Sequence, residues 1–174
     1  FLSLGLEADN VVAVQLDNSI EMPIVLLAVF RANLIASPLP PLWRHREIIG
    51  ALSQVAPKAI VTRSRIGDHD HAMMMRDVAL EMFSIRQVMA FGEEIPDGVM
   101  DINALLEVGD GDDLSLEARS DPADHVATMC WWTDTDPIPR PVARSHNHWI
   151  AASMPTLLEA HLTSDHIILS AQYM

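Results

Sequence analysis

One cysteine, seven glycines and eleven basic residues in 174 positions set the first bounds on this chain. The single Cys130 has no second cysteine for an internal disulfide, which excludes a disulfide scaffold and points to a reducing compartment, the cytoplasm. With Gly at 7 and Pro at 11, collagen and low-complexity disorder are excluded as well. The longest apolar run, residues 22–30, is too short for a membrane span. Lys and Arg total 11 against 24 Asp and Glu, a net charge of −13, which argues against nucleic acid or an anionic membrane surface as partner. Residues 1–10 carry no positive n-region and no cleavage site, so no signal peptide is expected. There is no initiating Met either, and the expectation is a chain that starts inside a larger protein.

What is present is an ordinary globular composition, 49% hydrophobic and 20% charged, enough for one domain with a core. The acidity is concentrated. Residues 93–124 hold eleven acids against Arg119 alone, ten of the thirteen net negative charges. Interspersed Gly and Pro make this stretch a solvated connection with one short helix at 102–107. No internal repeat or low-complexity tract is found.

Elsewhere strands and helices alternate. Residues 11–16 form a continuous β-branched run, the pattern of a strand buried on both faces. Asn18 with Glu21 resembles a capping box, and the spacing predicts a helix over 19–36, apolar nearly all round and so covered on most sides. Pro23 lies near its start, where few intrahelical bonds are lost. Residues 37–41 are too proline-rich for helix and read as an edge strand or extended segment. A helix at 44–55 carries Ile48, Ile49, Leu52 and Val55 on one face. A strand at 59–62, a helix at 69–83 striped by Met75, Val78 and Met82, and strands at 87–91 and 126–130 follow. A helix at 147–162 aligns Ile150, Met154, Leu157, Leu158 and His161, and a strand at 167–169 closes the chain. The alternation predicts an α/β fold, a largely parallel, flavodoxin-like sheet with helices on both faces. Ligands of such sheets bind beyond the carboxyl ends of strands, which directs attention to the loops after Leu16, Thr62 and Cys130.

The loop after Cys130 runs from Trp131-Trp132-Thr133-Asp134-Thr135-Asp136-Pro137 through Pro139-Arg140 to Ser145-His146. This resembles the phosphate loop of the adenylate-forming superfamily, which includes acyl-CoA synthetases and reads Y-T-S-G-T-T-G-x-P-K-G-V with a later Thr/Ser-His pair opening a helix. Trp132-Thr133 stands at Y-T, Thr135 at a loop hydroxyl, Pro139-Arg140 at P-K, and Ser145-His146 at the later pair. Gly5-Leu6, Asp9, Val11–Val14, Gln15-Leu16, Asn18-Ser19 and Glu21 look like the family's G-L-x-x-G-D-x-V-A-x-x-L-x-N-S-x-E opening. Ala28 to Ala32, then Ala36 and Pro38-Leu39, look like its A-x-L-R-A-G-A-x-x-x-P-L, and Lys58-Ala59-Ile60-Val61-Thr62 like the strand that follows. The resemblance implies part of the large N-terminal domain of such an enzyme. It divides the chain, a single incomplete domain over 1–174, into a βα-repeat part at 1–92, an acidic connection at 93–124 and a degenerate phosphate-loop part at 125–174.

By the same resemblance the substrates are ATP with Mg, a carboxylic acid and CoA or another thiol, and the ATP-binding residues are Thr133, Thr135, Arg140 and His146. No catalytic residue and no metal ligand is assigned. A phosphate loop uses glycine so that backbone N–H groups can turn inward, yet this loop has none, and no Gly occurs after Gly111. Asp134 and Asp136 add negative charge, the loop is one residue short, and Arg140 replaces a lysine's charge without its point-like geometry. The family's later adenylate, magnesium and ribose motifs and its late lysine are absent, so no ATP or Mg is expected on this chain alone. A homo-oligomer or a missing C-terminal partner domain is expected to cover its apolar surface.

Other patterns have plainer readings. Asp68-His69-Asp70-His71 has a metal cluster's composition without a third or fourth ligand at a recognised spacing, and reads as a polar helix start. Asp110-Gly111-Asp112-Asp113 fails the calcium-loop pattern at Leu114 and reads as a solvated turn. Cys130 reads as a buried, inert thiol, and Met73-Met74-Met75 as helix core plus exposed flank. The sequence thus supports an acyl-CoA synthetase-like ligase first, a non-catalytic α/β binding or interaction module second, and an unrelated flavodoxin-like domain third.

Overall fold

Four β-branched or apolar runs set the centre of the molecule. β1 (Val11–Val14), β2 (Ile35–Pro38), β3 (Ala59–Arg63) and β6 (Gln87–Phe91) lie side by side and parallel. The computed structural model describes residues 1–108, 119–135 and 138–169. Between β1 and β6 the chain forms α1 (Glu21–Arg31), α2 (His45–Leu52), a small hairpin of β4 (Arg65–Ile66) and β5 (His69–Asp70), and α3 (His71–Glu81). Then come β7 (Met100–Asp101), α4 (Ile102–Val108), β8 (Val126–Trp132), β9 (Arg140–Ser145) and α5 (His146–Glu159). The seven-stranded sheet has the order β7-β6-β3-β1-β2-β8-β9, parallel throughout except for the antiparallel β8–β9 pair.

Alternation along β1 divides the core between the two faces. Val12, Val14 and Leu16 pack with Met22, Val25 and Val29 of α1 on one side. Ala13 packs with Ile48 and Leu52 of α2 and Met75 and Val78 of α3 on the other. A strand covered on both faces explains the unbroken apolar run that predicts it. Helices therefore flank a largely parallel sheet on both sides, as the alternation predicts. Met75 is fully buried while Met73 is exposed, so the methionine triplet does divide between core and flank.

Several expectations are corrected. The first helix does not extend over 19–36. It stops at Arg31 because Asn33 turns left-handed (φ 57°), with Leu34 N–H donating to Val29 O at 3.0 Å and Asn33 N–H to Phe30 O at 3.1 Å. That is a Schellman closure, with Asn in place of the usual Gly. The helix begins after Ile20 with no side-chain cap, so Asn18 and Glu21 form no capping box. Its outer face is not covered: Ile20, Ile24 and Leu27 are exposed. The proline-rich segment is not at an edge, since β2 lies between β1 and β8 and Pro38 occupies only its last position.

The third helix begins at His71 and not at 69, because His69–Asp70 pairs with Arg65–Ile66. The strand expected at 126–130 runs on to Trp132, and Arg140–Ser145, a loop by its sequence, pairs with it as β9. The apolar side chains of α5 are exposed, and residues 167–169 form no strand and lie exposed. The acidic turn read at 110–113 lies outside the described residues. Among the described residues no helix is long and apolar enough to cross a membrane.

Candidate functional site

The carboxyl ends of β2 and β8 and the segments that follow β1, β2 and β3 enclose a cavity of about 890 Å³. Asp17 contributes after β1, residues 38–42 and Arg44 from the end of β2 onward, residues 66–69 after β3, and Cys130 and Trp131 from β8. In this sheet β1 sends its helix to one face while β2 and β3 send theirs to the other. Such a parting of connections opens a crevice at the carboxyl edge. The loops after Leu16 and Thr62 meet there, the loop after Cys130 brings only Trp131, and the 38–44 segment, outside the three loops singled out from sequence, completes the lining.

A buried polar network lies behind the lining residues. Gln15 follows β1 with its side chain fully buried on the α2/α3 face. Its Nε2 donates to Pro40 O at 2.8 Å and to Trp43 O at 3.2 Å. Its Oε1 lies 2.8 Å from His71 Nδ1. The amide oxygen can only accept, so the His71 proton sits on Nδ1 and leaves Nε2 as a bare acceptor. That nitrogen is buried with no protein partner. Burial, with the Arg44 charge as a smaller cause, pushes the His71 imidazole down to about 4. Thr62 Oγ1 donates to Gln15 O at 3.0 Å, and Arg44 Nη1 donates to Pro41 O at 2.8 Å and Trp43 O at 3.0 Å. Trp43 and Trp131 meet edge to face with centroids 6.0 Å apart.

The Asp68–His71 run is dispersed over this site. Asp68 and His69 stand on the cavity rim. Asp70 caps α3 by accepting the Met73 N–H at 2.9 Å, which is the polar helix start read from sequence. His71 turns inward. Among the described residues no group of three or more His, Cys, Asp or Glu is placed to hold a metal ion, so no step of a reaction is assigned to Mg on these residues. Cys130 departs from its expected burial: it is half-buried on the cavity wall, its Sγ 3.6 Å from Thr128 Oγ1.

The four residues expected to bind nucleotide do not line this cavity. Thr133 and Thr135 are exposed beyond β8, and Arg140 opens β9 opposite Trp132, so these three share one hairpin end at the carboxyl edge. The far arm of that turn leans on α2 and the residues just past it: Ile138 lies over Gly50, and Gln54 Nε2 donates to Pro139 O at 2.7 Å. His146 is not brought to them. β9 runs from Arg140 to Ser145, which pairs with Val126 at the other edge of the sheet, roughly 17 Å away. There the His146 ring packs edge to face on Phe30 of α1, with centroids 5.3 Å apart. Arg44 on the cavity wall, and Gln15, Trp43 and His71 behind it, are not singled out by the sequence. The one signal for them was a polar Gln in an otherwise apolar strand run.

Comparison with known proteins completes the picture. The family described as AMP-binding enzyme matches residues 1–171. A 2-hydroxy-7-methoxy-5-methyl-1-naphthoate–CoA ligase of Streptomyces carzinostaticus is 30% identical over 83% of this chain and 27% of its own length. A medium-chain fatty-acid–CoA ligase of Escherichia coli K12 is 20% identical over 93% of this chain and 28% of its own. The apo structure of Mycobacterium smegmatis MbtA shares the fold at a TM-score of 0.76 and 18% identity, over 94% of this chain and 29% of that one. The chain thus spans 27–31% of the curated relatives it matches.

Proposed function

The chain belongs to the AMP-binding enzyme family, and from that membership we propose that it forms the N-terminal part of an acid–thiol ligase. In the reaction, a carboxylate oxygen attacks the α-phosphorus of ATP, expelling pyrophosphate and leaving an acyl-adenylate. The sulfur of CoA or another thiol then attacks the acyl carbon, and AMP departs. The protein's contribution to the first step is to position the reactants and stabilise charge on the phosphoryl oxygens. In this reading the Thr133 and Thr135 hydroxyls and the Arg140 guanidinium supply donors and charge to the phosphates. His146 has a supporting part, seating α5 on α1. The cavity at the carboxyl edge receives a substrate group.

The observation that carries the reading is the hydroxyl-bearing turn between β8 and β9, set at the carboxyl edge beside the cavity. Parallel sheets receive phosphates there. The turn relies on side-chain donors, because it has no glycine to present backbone N–H groups, and weak nucleotide binding follows. That same lack favours the second reading, a non-catalytic module that kept the sheet and lost the phosphate site. A lone thiol is consistent with work in the cytoplasm, and a partner domain or second copy would cover the exposed apolar helices.

ATP–pyrophosphate exchange with a panel of carboxylates separates the two. The 174-residue chain alone should give no exchange above a protein-free blank. The complete reading frame should give acid-dependent exchange, and a complete frame that exchanges nothing favours the non-catalytic module.

A further inference from the structure

Two walls of the cavity come from distant parts of the chain, and one side chain bonds the first and the residue at which the second enters its helix. The first wall is the 38–44 segment after β2, and the second is the 65–70 hairpin, which runs directly into α3 at His71. We propose that Gln15 is a positioning residue whose carboxamide clamps these two walls in fixed register. Its two N–H donors go to Pro40 O and Trp43 O on the first wall, and its oxygen accepts from His71 Nδ1 at the root of the second.

The chemistry makes the clamp specific to Gln. Reversing the amide would set its oxygen against two carbonyl oxygens. A carboxylate would do the same with added charge, and an apolar isostere would take one donor from each carbonyl, which keep the Trp43 N–H and Arg44 Nη1, and leave the buried His71 N–H without a partner. Asn is a methylene too short to keep all three contacts. Asp68 and Asp70 on the hairpin, Asp17 after β1, and Arg44 and His69 are the charged or titratable groups around the cavity mouth and His71. Gln15 adds no charge to them, so it fixes wall geometry without altering the electrostatics of the mouth. The second wall is itself held at its base, where Ser64 O accepts the His71 N–H at 3.0 Å and Ser64 N–H donates to Phe91 O at 2.7 Å. Gly92 permits that approach: a Cβ there would collide with the Ser64 hydroxyl, and its φ of 114° suits glycine.

Cys130, the sole thiol in the sequence, lines the cavity and reports on its opening. The rate of Cys130 alkylation by N-ethylmaleimide is measured on the native chain, on Gln15→Met and on Thr62→Val. The Thr62 change deletes an adjacent buried hydrogen bond to the Gln15 backbone but frees neither wall. Gln15→Met is expected to raise the rate roughly tenfold, as two walls lose buried hydrogen bonds. The near-UV circular dichroism of the Trp43–Trp131 pair should fall with it, while Thr62→Val stays close to native. Should the Met variant not fold, Gln15→Asn is expected to give the same rise. A native-like rate in the folded Gln15 variant, or an equal rise in Thr62→Val, overturns the clamp. In the ligation proposed above, on which this consequence rests, Gln15→Met raises KM for the substrate received by the cavity at unchanged kcat. Absence of ligation in the complete protein would sink that reading alone, because the Cys130 rates decide the clamp without turnover.

Discussion

Ser145 and His148 close the start of α5 reciprocally: Ser145 Oγ accepts the His148 N–H at 3.2 Å, and His148 Nδ1 accepts the Ser145 N–H at 3.3 Å. The box stands where β9 passes directly into the helix, so one serine ends a strand and begins a helix. The second bond also fixes a tautomer. His148 Nδ1 must be unprotonated to accept, so its proton sits on Nε2.

Ser145→Ala should therefore lower stability by about 1 kcal/mol, the usual cost of a lost N-cap. Helical circular dichroism during thermal unfolding reads it. Ser145→Asp, which keeps an acceptor and adds charge favourable to a helix N-terminus, should recover most of the loss. Equal melting of the Ala variant and the native chain would refute the box.

His71 predicts a specific acid lability. Its folded value of about 4 lies below the ordinary imidazole value of 6.5, so the unfolded chain binds a proton more readily than the folded one. Stability from this site is complete above pH ~6.5 and drains away as pH falls towards 4, by about 3 kcal/mol in all. Urea unfolding at a series of pH values measures the slope. His71→Phe removes the titrating group, and although it destabilises the fold at neutral pH, its slope between those limits should be flatter. An unchanged slope would show that His71 does not govern the acid response.

How much of this was legible follows from where each signal sits in the chain. β1, β3 and β6 announce themselves because strands covered on both faces need unbroken β-branched or apolar runs, and their bounds come out within about two residues. β2 was hidden inside a longer apolar stretch. Asn33 was its local clue, a residue able to turn left-handed and end the helix before it. β9 escaped because Arg140-Pro141 reads as loop. Only as an edge strand can it hold a proline, and edge position is a property of the assembled sheet. The loops after β1 and β3 were legible from topology, whereas the 38–44 segment was not. The Gln15–His71 contact was not, because it joins residues 56 apart that no periodicity relates.

Exposed apolar faces predict self-association of the chain. Ile20, Ile24 and Leu27 on the outer side of α1, and Trp149, Ile150, Met154, Leu157 and Leu158 on α5, lie exposed. Apolar helix faces left open in this way favour association or dye binding. Sedimentation velocity at low micromolar concentration should show species larger than 19.3 kDa. Ile24→Lys with Leu27→Lys should reduce them, since neither side chain supports the core. A native chain that sediments as a monomer and binds no hydrophobic dye would contradict the expectation.

The turn between β8 and β9 carries the last prediction. Thr133 and Thr135 stand exposed there and Arg140, also exposed, opens the returning strand at the carboxyl edge. A hydrogen bond from Arg140 to phosphate is worth about 1–3 kcal/mol. Asp134, within the same turn, repels the same anion, and Asp136, two residues on in sequence, adds a second negative charge. Without glycine the backbone cannot approach closely enough for its N–H groups to add to the balance. Converting the turn to a glycine-rich one with Asp134→Gly and Asp136→Gly, together with Arg140→Lys, removes both carboxylates and restores inward N–H groups. ATP affinity in the complete protein should then rise by at least roughly tenfold, the equivalent of one such hydrogen bond gained. Titration calorimetry of ATP into both forms measures it. If the native turn binds ATP as tightly as the rebuilt one, side-chain donors suffice and the turn is a working phosphate site in its own right.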